Sequence, residues 1–298
     1  MDVIARIRRR VRAARPSRRP RPAAIAASVS AVALGAVLLL APSTNGAFTA
    51  SIRNDNNTAA GAAAFFTCTS AFAADKADAL FAYPLDEATG STTARDAASG
   101  AYPGTYRGGM TSDATTTPRA CSRDAGGAYV LDGTDFVTNA FQQAQAPSTF
   151  STELWFKTTT RGGKLVGFGN SQAGSSSAYD RHTYITTAGR LAFGTYNQGT
   201  YQILQSPTVV TDGAWHHVVS TMSPTGGMSL YLDGVRVAVN AQFTAPESNA
   251  GYWRIGYDNT SGWTGAGGNY FVGSMRFAAV YKTALTATQV QNHYNAGR

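Results

Sequence analysis

The chain has 298 residues, 43% of them hydrophobic and only 14% charged, against about 25% charged in ordinary soluble chains. It is too long for a minimal domain, short for two large ones, and apolar enough for a real core. The net charge of +8 comes entirely from residues 1–41, where nine arginines face one aspartate; the 16 basic and 16 acidic residues that follow cancel, so the folded part makes no case for binding a nucleic-acid backbone.

Residues 6–21 form an arginine-rich head, and the 19 residues 23–41 follow without a charge. A positive head before an apolar run is the layout of an export signal, with everything after it outside the cytoplasm. The run is long enough to span a bilayer as a helix, but it is rich in alanine and only weakly hydrophobic. A cleaved signal and an uncleaved membrane anchor through residues 23–41 both fit. Ser17-Arg18-Arg19 is a faint twin-arginine pattern. Residues 1–50 are therefore read as a basic head plus a signal peptide or anchor helix, and the protein as secreted or held at the cell surface. The stretch from Gly46 to Gly61, with Phe48-Thr49-Ala50-Ser51 and Asn56-Asn57-Thr58, resembles the start of exported bacterial proteins of the camelysin and biofilm-matrix type. That resemblance implies export and no particular fold.

Cys68 and Cys121 are the two cysteines. In an exported chain an even count predicts a disulfide. Two cysteines without matching histidines make a poor zinc site. Phe65-Phe66-Thr67-Cys68 reads as a short strand, and residues 51–77 as a short N-terminal strand segment.

From Ala79 onward, short apolar-polar alternations sit between turn signals, with little helical periodicity. Leu154 and Phe156 alternate with Glu153, Trp155 and Lys157; Leu230 and Leu232 alternate with Ser229, Tyr231 and Asp233. Asp233-Gly234 is a hairpin turn signal, because a type I′ turn needs positive φ. Strand and turn recurring at short intervals predict an all-β sandwich, and the lack of crossover helices argues against a parallel sheet. One helix is readable, from about Ala287 to Tyr294, ending near Gly297. Thr286 and Gln289 would form its capping box, and Leu285 and Val290 its hydrophobic staple.

Thr211-Asp212-Gly213-Ala214-Trp215-His216-His217-Val218-Val219, followed by Leu230-Tyr231-Leu232-Asp233-Gly234, resembles the core of bacterial laminin-G-like domains of the concanavalin-A-like lectin/glucanase superfamily. Tyr83-Pro84-Leu85-Asp86-Glu87, Arg95-Asp96-Ala97-Ala98-Ser99-Gly100, Ala128-Tyr129-Val130-Leu131-Asp132-Gly133 and the block from Gly273 to Val290 follow in that family's order. The resemblance covers residues 78–298 and implies a concanavalin-A-like jelly-roll β-sandwich with a short C-terminal helix. It also implies a departure: the family has Asp-Glu where this chain has Arg276-Phe277. In related jelly rolls that Asp helps hold a calcium ion, which an arginine cannot do. Asp96 and Asp180 remain to offer carboxylates, which is too few for a strong site, since calcium takes about six to eight oxygens. No cofactor is expected.

The same jelly roll carries glycoside hydrolases, which need two carboxylates at a fixed short separation. The three glutamates, Glu87, Glu153 and Glu247, have no acidic residue two or four positions away. Asp86 and Glu87 are adjacent and would point to opposite faces of a strand; Asp132 and Asp135 flank a turn. His216 and His217 are likewise adjacent, cannot share one ion, and read as sandwich framework. His293 reads as a surface residue of the final helix. The chain is therefore read as non-catalytic.

Binding fits better. Sugars present apolar C–H faces, so aromatic platforms with nearby Asp or Asn are the chemistry of a lectin-like site. Two loop regions have that makeup. One carries Tyr257, Asp258, Asn259 and Trp263, extending to Tyr270. The other carries Tyr179, Asp180 and His182, with Tyr196, Asn197 and Tyr201 nearby. The alternative for Trp263 is a cap over the sandwich edge. The expected partner is a glycan or other cell-envelope component. The alternative is a surface structural or adhesion subunit that works through protein–protein contacts.

Overall fold

The computed structural model describes residues 67–115 and 117–298. The arginine-rich head, the run 23–41, the stretch 46–61 and the strand expected at Phe65-Phe66 lie outside the described residues. Among the described residues no helix is long and apolar enough to cross a membrane.

Two eight-stranded sheets face each other. The first runs β14 (Val235–Asn240), β13 (Gly227–Leu232), β12 (Trp215–Ser223), β7 (Phe150–Lys157), β16 (Val272–Tyr281), β5 (Ala128–Asp132), β4 (Thr111–Asp113), with β1 (Ala79–Tyr83) also paired to β16. The second runs β11 (Thr200–Val209), β10 (Arg190–Asn197), β9 (Tyr179–Ile185), β8 (Lys164–Gly169), β15 (Tyr252–Ile255), β6 (Phe136–Asn139), β3 (Gly104–Arg107), β2 (Thr93–Ala94). The strand pairs are antiparallel, as the short connections require. This is the sandwich that the alternation predicts.

The strand period places side chains. On β7, Phe150, Leu154 and Phe156 point into the sandwich, against Phe168 of β8, Phe193 of β10 and Trp253 of β15. Glu153 and Trp155 point the other way, yet they are buried too. A second layer covers them: helix α1 (Cys68–Asp75) and helix α2 (Ala287–Gly297). Helix α2 starts at the Thr286–Gln289 capping box read from the sequence, with the staple residues Leu285 and Val290 both buried. It ends at Gly297, where the sequence pattern placed its stop.

Helix α1 overturns the strand expected at Thr67-Cys68. Thr67 is an N-cap, exchanging hydrogen bonds with Ser70. Short apolar residues such as Ala71 and Phe72 do not distinguish a strand from one helical turn. What fixes the helix is tertiary. Cys68 is bridged to Cys121, and the Asp124 carboxylate accepts from the backbone N–H of Cys68 at 2.7 Å and Thr69 at 3.1 Å, as an anion at a helix N-terminus should. The expected disulfide is present, with its partners 53 positions apart. A loop of that length is worth roughly 4 kcal/mol in the chain-entropy account.

The buried centre of this second layer is polar. Glu153 accepts from His217 Nε2 at 2.8 Å, His293 Nδ1 at 3.0 Å and the Tyr281 hydroxyl at 2.5 Å. His293 Nε2 reaches Asp75 of α1 at 3.0 Å. His293 is thus no surface residue; it is 4% exposed. Burial opposes its charge, but Glu153 and then Asp75 outweigh that and push its pKa up to about 9. Burial likewise opposes the Glu153 anion, yet the His293 charge and the imidazole hydrogen bonds hold it well below the usual carboxylate range.

These shifts set a pH window. His293 has its pKa raised from 6.5, so its contribution is full below about 6.5 and is lost as pH climbs through about 9. Glu153 is lowered from 4.5, so its contribution is present above about 4.5 and is lost only in strong acid. Urea unfolding of the wild type should show stability falling steadily from pH 6.5 to beyond pH 9. His293→Gln should be about 3 kcal/mol less stable at pH 6 and should lose most of that slope. An unchanged slope in the variant would refute the assignment.

Candidate functional site

The aromatic residues of the two loop regions meet on the outer face of the second sheet. On β10, Leu191 and Phe193 face the core, so Ala192, Gly194 and Tyr196 face outward. The segment 258–270 folds back over this face and lays Trp263 on it. The Trp263 ring meets the His182 ring edge-on, with centroids 4.5 Å apart. Gly194 is required there, because a Cβ would collide with the indole. Trp263 is therefore the cap that the sequence left as an alternative, and only 5% of it is exposed.

Beside this cap opens a cleft of about 350 Å³, lined by Ser177, Ala178, Tyr179, Tyr196, Tyr201, Glu247, Asn249 and the rim of Trp263. Tyr201 is its exposed platform, at 47%. It stands edge-on to Trp263 at 5.0 Å and beside Tyr196 at 4.8 Å. Tyr196 and Tyr201 are directly opposed across the β10–β11 hairpin. Its turn holds Gln198 and Gly199 at positive φ. The Tyr179 hydroxyl donates to the Ser261 carbonyl at 2.8 Å, joining the two loop regions. Asn249 donates to the Glu247 carboxylate at 2.8 Å. Polar groups and aromatic faces thus share one opening.

Tyr179, Tyr196 and Trp263, expected from the sequence, line this cleft. Five other expected contacts do not: four are buried, and the half-buried Asn259 is spent on a protein hydrogen bond. Asp258 is fully buried and paired with Arg254; it accepts from Ser176 N at 3.1 Å and Ser176 Oγ at 2.9 Å. Lys164 Nζ lies 3.6 Å from it, and burial, opposed by Asp258, pushes the lysine down to about 8. Asn259 donates to the Ser176 carbonyl. Tyr257 stacks on Tyr270, centroids 3.9 Å apart. Asp180 pairs with Arg181 at 2.8 Å and accepts from Tyr196 N at 2.9 Å; burial pushes it up to about 6 despite that arginine. His182 lies on β9 and not in a loop. It is wholly buried beneath Trp263, and burial and then Lys164 keep it neutral, well below 6.5.

Residues that sequence reasoning missed in the lining are Ser177, Glu247 and Asn249. The 241–251 segment has no periodicity to mark it. It is placed by Arg181, whose guanidinium crosses the end of the sandwich to the Glu247 carbonyl at 2.7 Å.

Residues 124–291 match the family described as the concanavalin A-like lectin/glucanases superfamily. The chain belongs to that superfamily. Among solved structures it is similar to botulinum neurotoxin type C, whose cell entry depends on interaction with two ganglioside molecules (12% identity, 76% of this chain, 52% of that one, TM-score 0.54). It is also similar to the binding domain of Paraclostridial Mosquitocidal Protein 1 (12%, 74%, 52%, 0.52). A third is the ligand-binding domain of botulinum neurotoxin serotype D in complex with N-acetylneuraminic acid (14%, 76%, 52%, 0.50). At these identities the likeness is one of fold, and the chain spans about half the length of each. No curated protein matches the chain.

Within the superfamily fold, the departure at Arg276-Phe277 has a structural meaning. Phe277 sits at φ +52° in a bulge of β16, so it joins Arg276 on the outer face. The Arg276 guanidinium donates to the carbonyls of Ala125 at 2.6 Å, Asp124 at 3.2 Å and Gly126 at 3.5 Å. A tethered cation thus occupies a ring of backbone oxygens. Asp96 is spent on donors as well: its carboxylate accepts from Ala82 N at 3.0 Å, Ala98 N at 2.9 Å and Ser99 Oγ at 3.0 Å. Asp180 pairs with Arg181, so both candidate carboxylates have protein partners. Millimolar calcium should therefore raise the melting temperature by about a degree or less relative to a chelator. A large drop with chelator would overturn this reading of Arg276.

Proposed function

We propose that the protein is a non-catalytic carbohydrate-binding module that works outside the cytoplasm. The observation that carries this is the cleft in which Tyr201, Tyr196, Tyr179 and the edge of Trp263 meet Glu247 and Asn249. Aromatic faces take the C–H side of a sugar ring, and the carboxylate and amide take its hydroxyls. Of two similar structures, one belongs to a toxin whose cell entry depends on gangliosides and the other is a complex with N-acetylneuraminic acid, which supports a sugar as ligand. The Cys68–Cys121 bridge supports an oxidising compartment.

The chemistry of the cleft argues against hydrolysis. Glycoside hydrolases flank the scissile bond with two carboxyl groups. Glu247 is the one carboxylate in the lining; Asp180 lies buried behind it, bound to Arg181. Glu87 accepts from Tyr106 and Arg95, and Glu153 belongs to the histidine cluster.

A glycan array on the full chain should give saturable binding to a restricted set of sugars, each recovered intact. Tyr201→Ala removes an exposed ring and should weaken binding roughly tenfold, about 1.4 kcal/mol, without changing the melting temperature. Trp263→Ala is the poorer test, because emptying a buried aromatic site costs about 3–5 kcal/mol of stability. Blank arrays with self-association would favour a structural subunit. Turnover lost in Glu247→Gln would make it an enzyme.

A further inference from the structure

The first sheet also leaves part of its outer face open. Trp155, Lys157 and Trp215 share that face: Trp155 and Lys157 are two apart on β7, and Trp215 is the cross-strand partner of Lys157. Helix α2 covers Trp155, where the Tyr294 ring stacks at 5.8 Å, but it stops short of Lys157 and Trp215. What remains is a cleft of about 320 Å³, closed at its sides by segments 118–120 and 213–215 and by Tyr294, Gly297 and Arg298.

Its walls are mostly aromatic and aliphatic, and its charged side chains are the cations Arg119, Lys157 and Arg298. The Trp215 indole N–H and the Arg119 Nε are sealed behind the aromatic wall, while Arg119 Nη1 donates to the Ala114 carbonyl at 2.9 Å. Among the described residues Lys157 makes no ion pair. The adjacent acid, Asp212, accepts from Ala214 N at 2.8 Å and meets His216 at 3.2 Å. Cationic side chains beside an aromatic wall are complementary to a ligand that brings an anion.

We propose that this cleft is a second ligand site, specific for a carboxylated sugar of the uronic-acid class. Its ring lies against Trp215, and its carboxylate lies between Lys157 and Arg119. The volume admits one or two sugar units and is too small for a helix. The choice of a sugar rests on the function proposed above; the preference for an anion rests on this cleft alone.

Calorimetry on the full chain with trigalacturonate and with its methyl ester tests this, since the ester keeps the sugar rings and replaces each carboxylate by a neutral, methyl-capped group. The acid should bind roughly tenfold or more tightly than the ester, and its affinity should fall with salt. Lys157→Gln changes a half-exposed side chain and should keep the wild-type melting temperature while bringing the acid down to the level of the ester. Trp215→Ala should weaken both. Tyr201→Ala, on the opposite sheet, should leave the acid unaffected even where it abolishes neutral-glycan binding. Equal affinity for acid and ester, no binding of the acid, or loss of acid binding in Tyr201→Ala but not in Lys157→Gln would each overturn the proposal. Failure of the array alone would overturn the cleft beside Trp263 and leave this one standing.

Discussion

A carboxylate buried on the outer face of a sheet is tolerable only if its oxygens are met by donors. Glu153 is 3% exposed, and its donors come from three different elements: His217 on β12, Tyr281 on β16 and His293 on α2. Asp75 extends the cluster to α1. One buried anion therefore fixes the seating of both helices, and with them the covered part of the first sheet. The disulfide works on the same layer from the other side. It ties the start of α1 to the segment whose Asp124 caps that helix and whose carbonyls hold Arg276.

This second layer decides where ligands can reach. A bare sheet would expose Trp155, Val219, Tyr231 and Phe277 as one apolar patch, an association hazard. The helices bury it up to the end of α2, and the cleft around Trp215 is what they leave uncovered. On the second sheet the cover is a loop and not a helix. The segment 258–270 is held by buried pairs such as Asp258 with Arg254, and its Trp263 leaves the neighbouring tyrosines accessible. Both clefts thus open where a covering element ends, with aromatic residues at the margin.

Much of this was legible in the sequence. The alternation at 154–157 gave the inward and outward faces of β7. Asp233 and Gly234 do take positive φ at the β13–β14 turn, and the final helix begins where its capping box says. The aromatic residues of the cleft were legible by composition, as sugar-stacking faces beside Asp and Asn; that they stand on strands, with Tyr196 opposite Tyr201 across the Gln198-Gly199 turn, was not. The polar residues were not. Asp180, Asp258 and His182 sit among aromatics and small polar residues, as ligand contacts do. The same residue types also solve a different problem, satisfying buried charges under a loop. Which problem a given carboxylate solves depends on the cation that faces it, and Arg254, Arg181 and Lys164 are brought there by sheet pairing. His293 was misread because a single histidine on a short amphipathic helix carries no sign of the Glu153 it meets 140 positions away.

Arg276 stands where the resemblance implies a calcium-holding aspartate, and it meets the carbonyls of 124–126 instead. A divalent ion held by loop oxygens binds by mass action and keeps coordination positions that a sugar hydroxyl can fill. A guanidinium in a ring of carbonyls has neither property. It is covalently attached, so the 124–126 segment is held at any metal concentration. Its donors point at protein oxygens and offer nothing to a ligand. Burial, followed by repulsion from Arg119, pushes its pKa down to about 10, which still leaves it charged at neutral pH. Arg119 carries the same argument outward, since it lines the cleft beside Trp215. A positive charge placed at 276 to hold a loop repels its neighbour at 119, and an anion bound in that cleft would relieve the repulsion. The structural cation and the proposed anion site are thus neighbours through this pair of arginines.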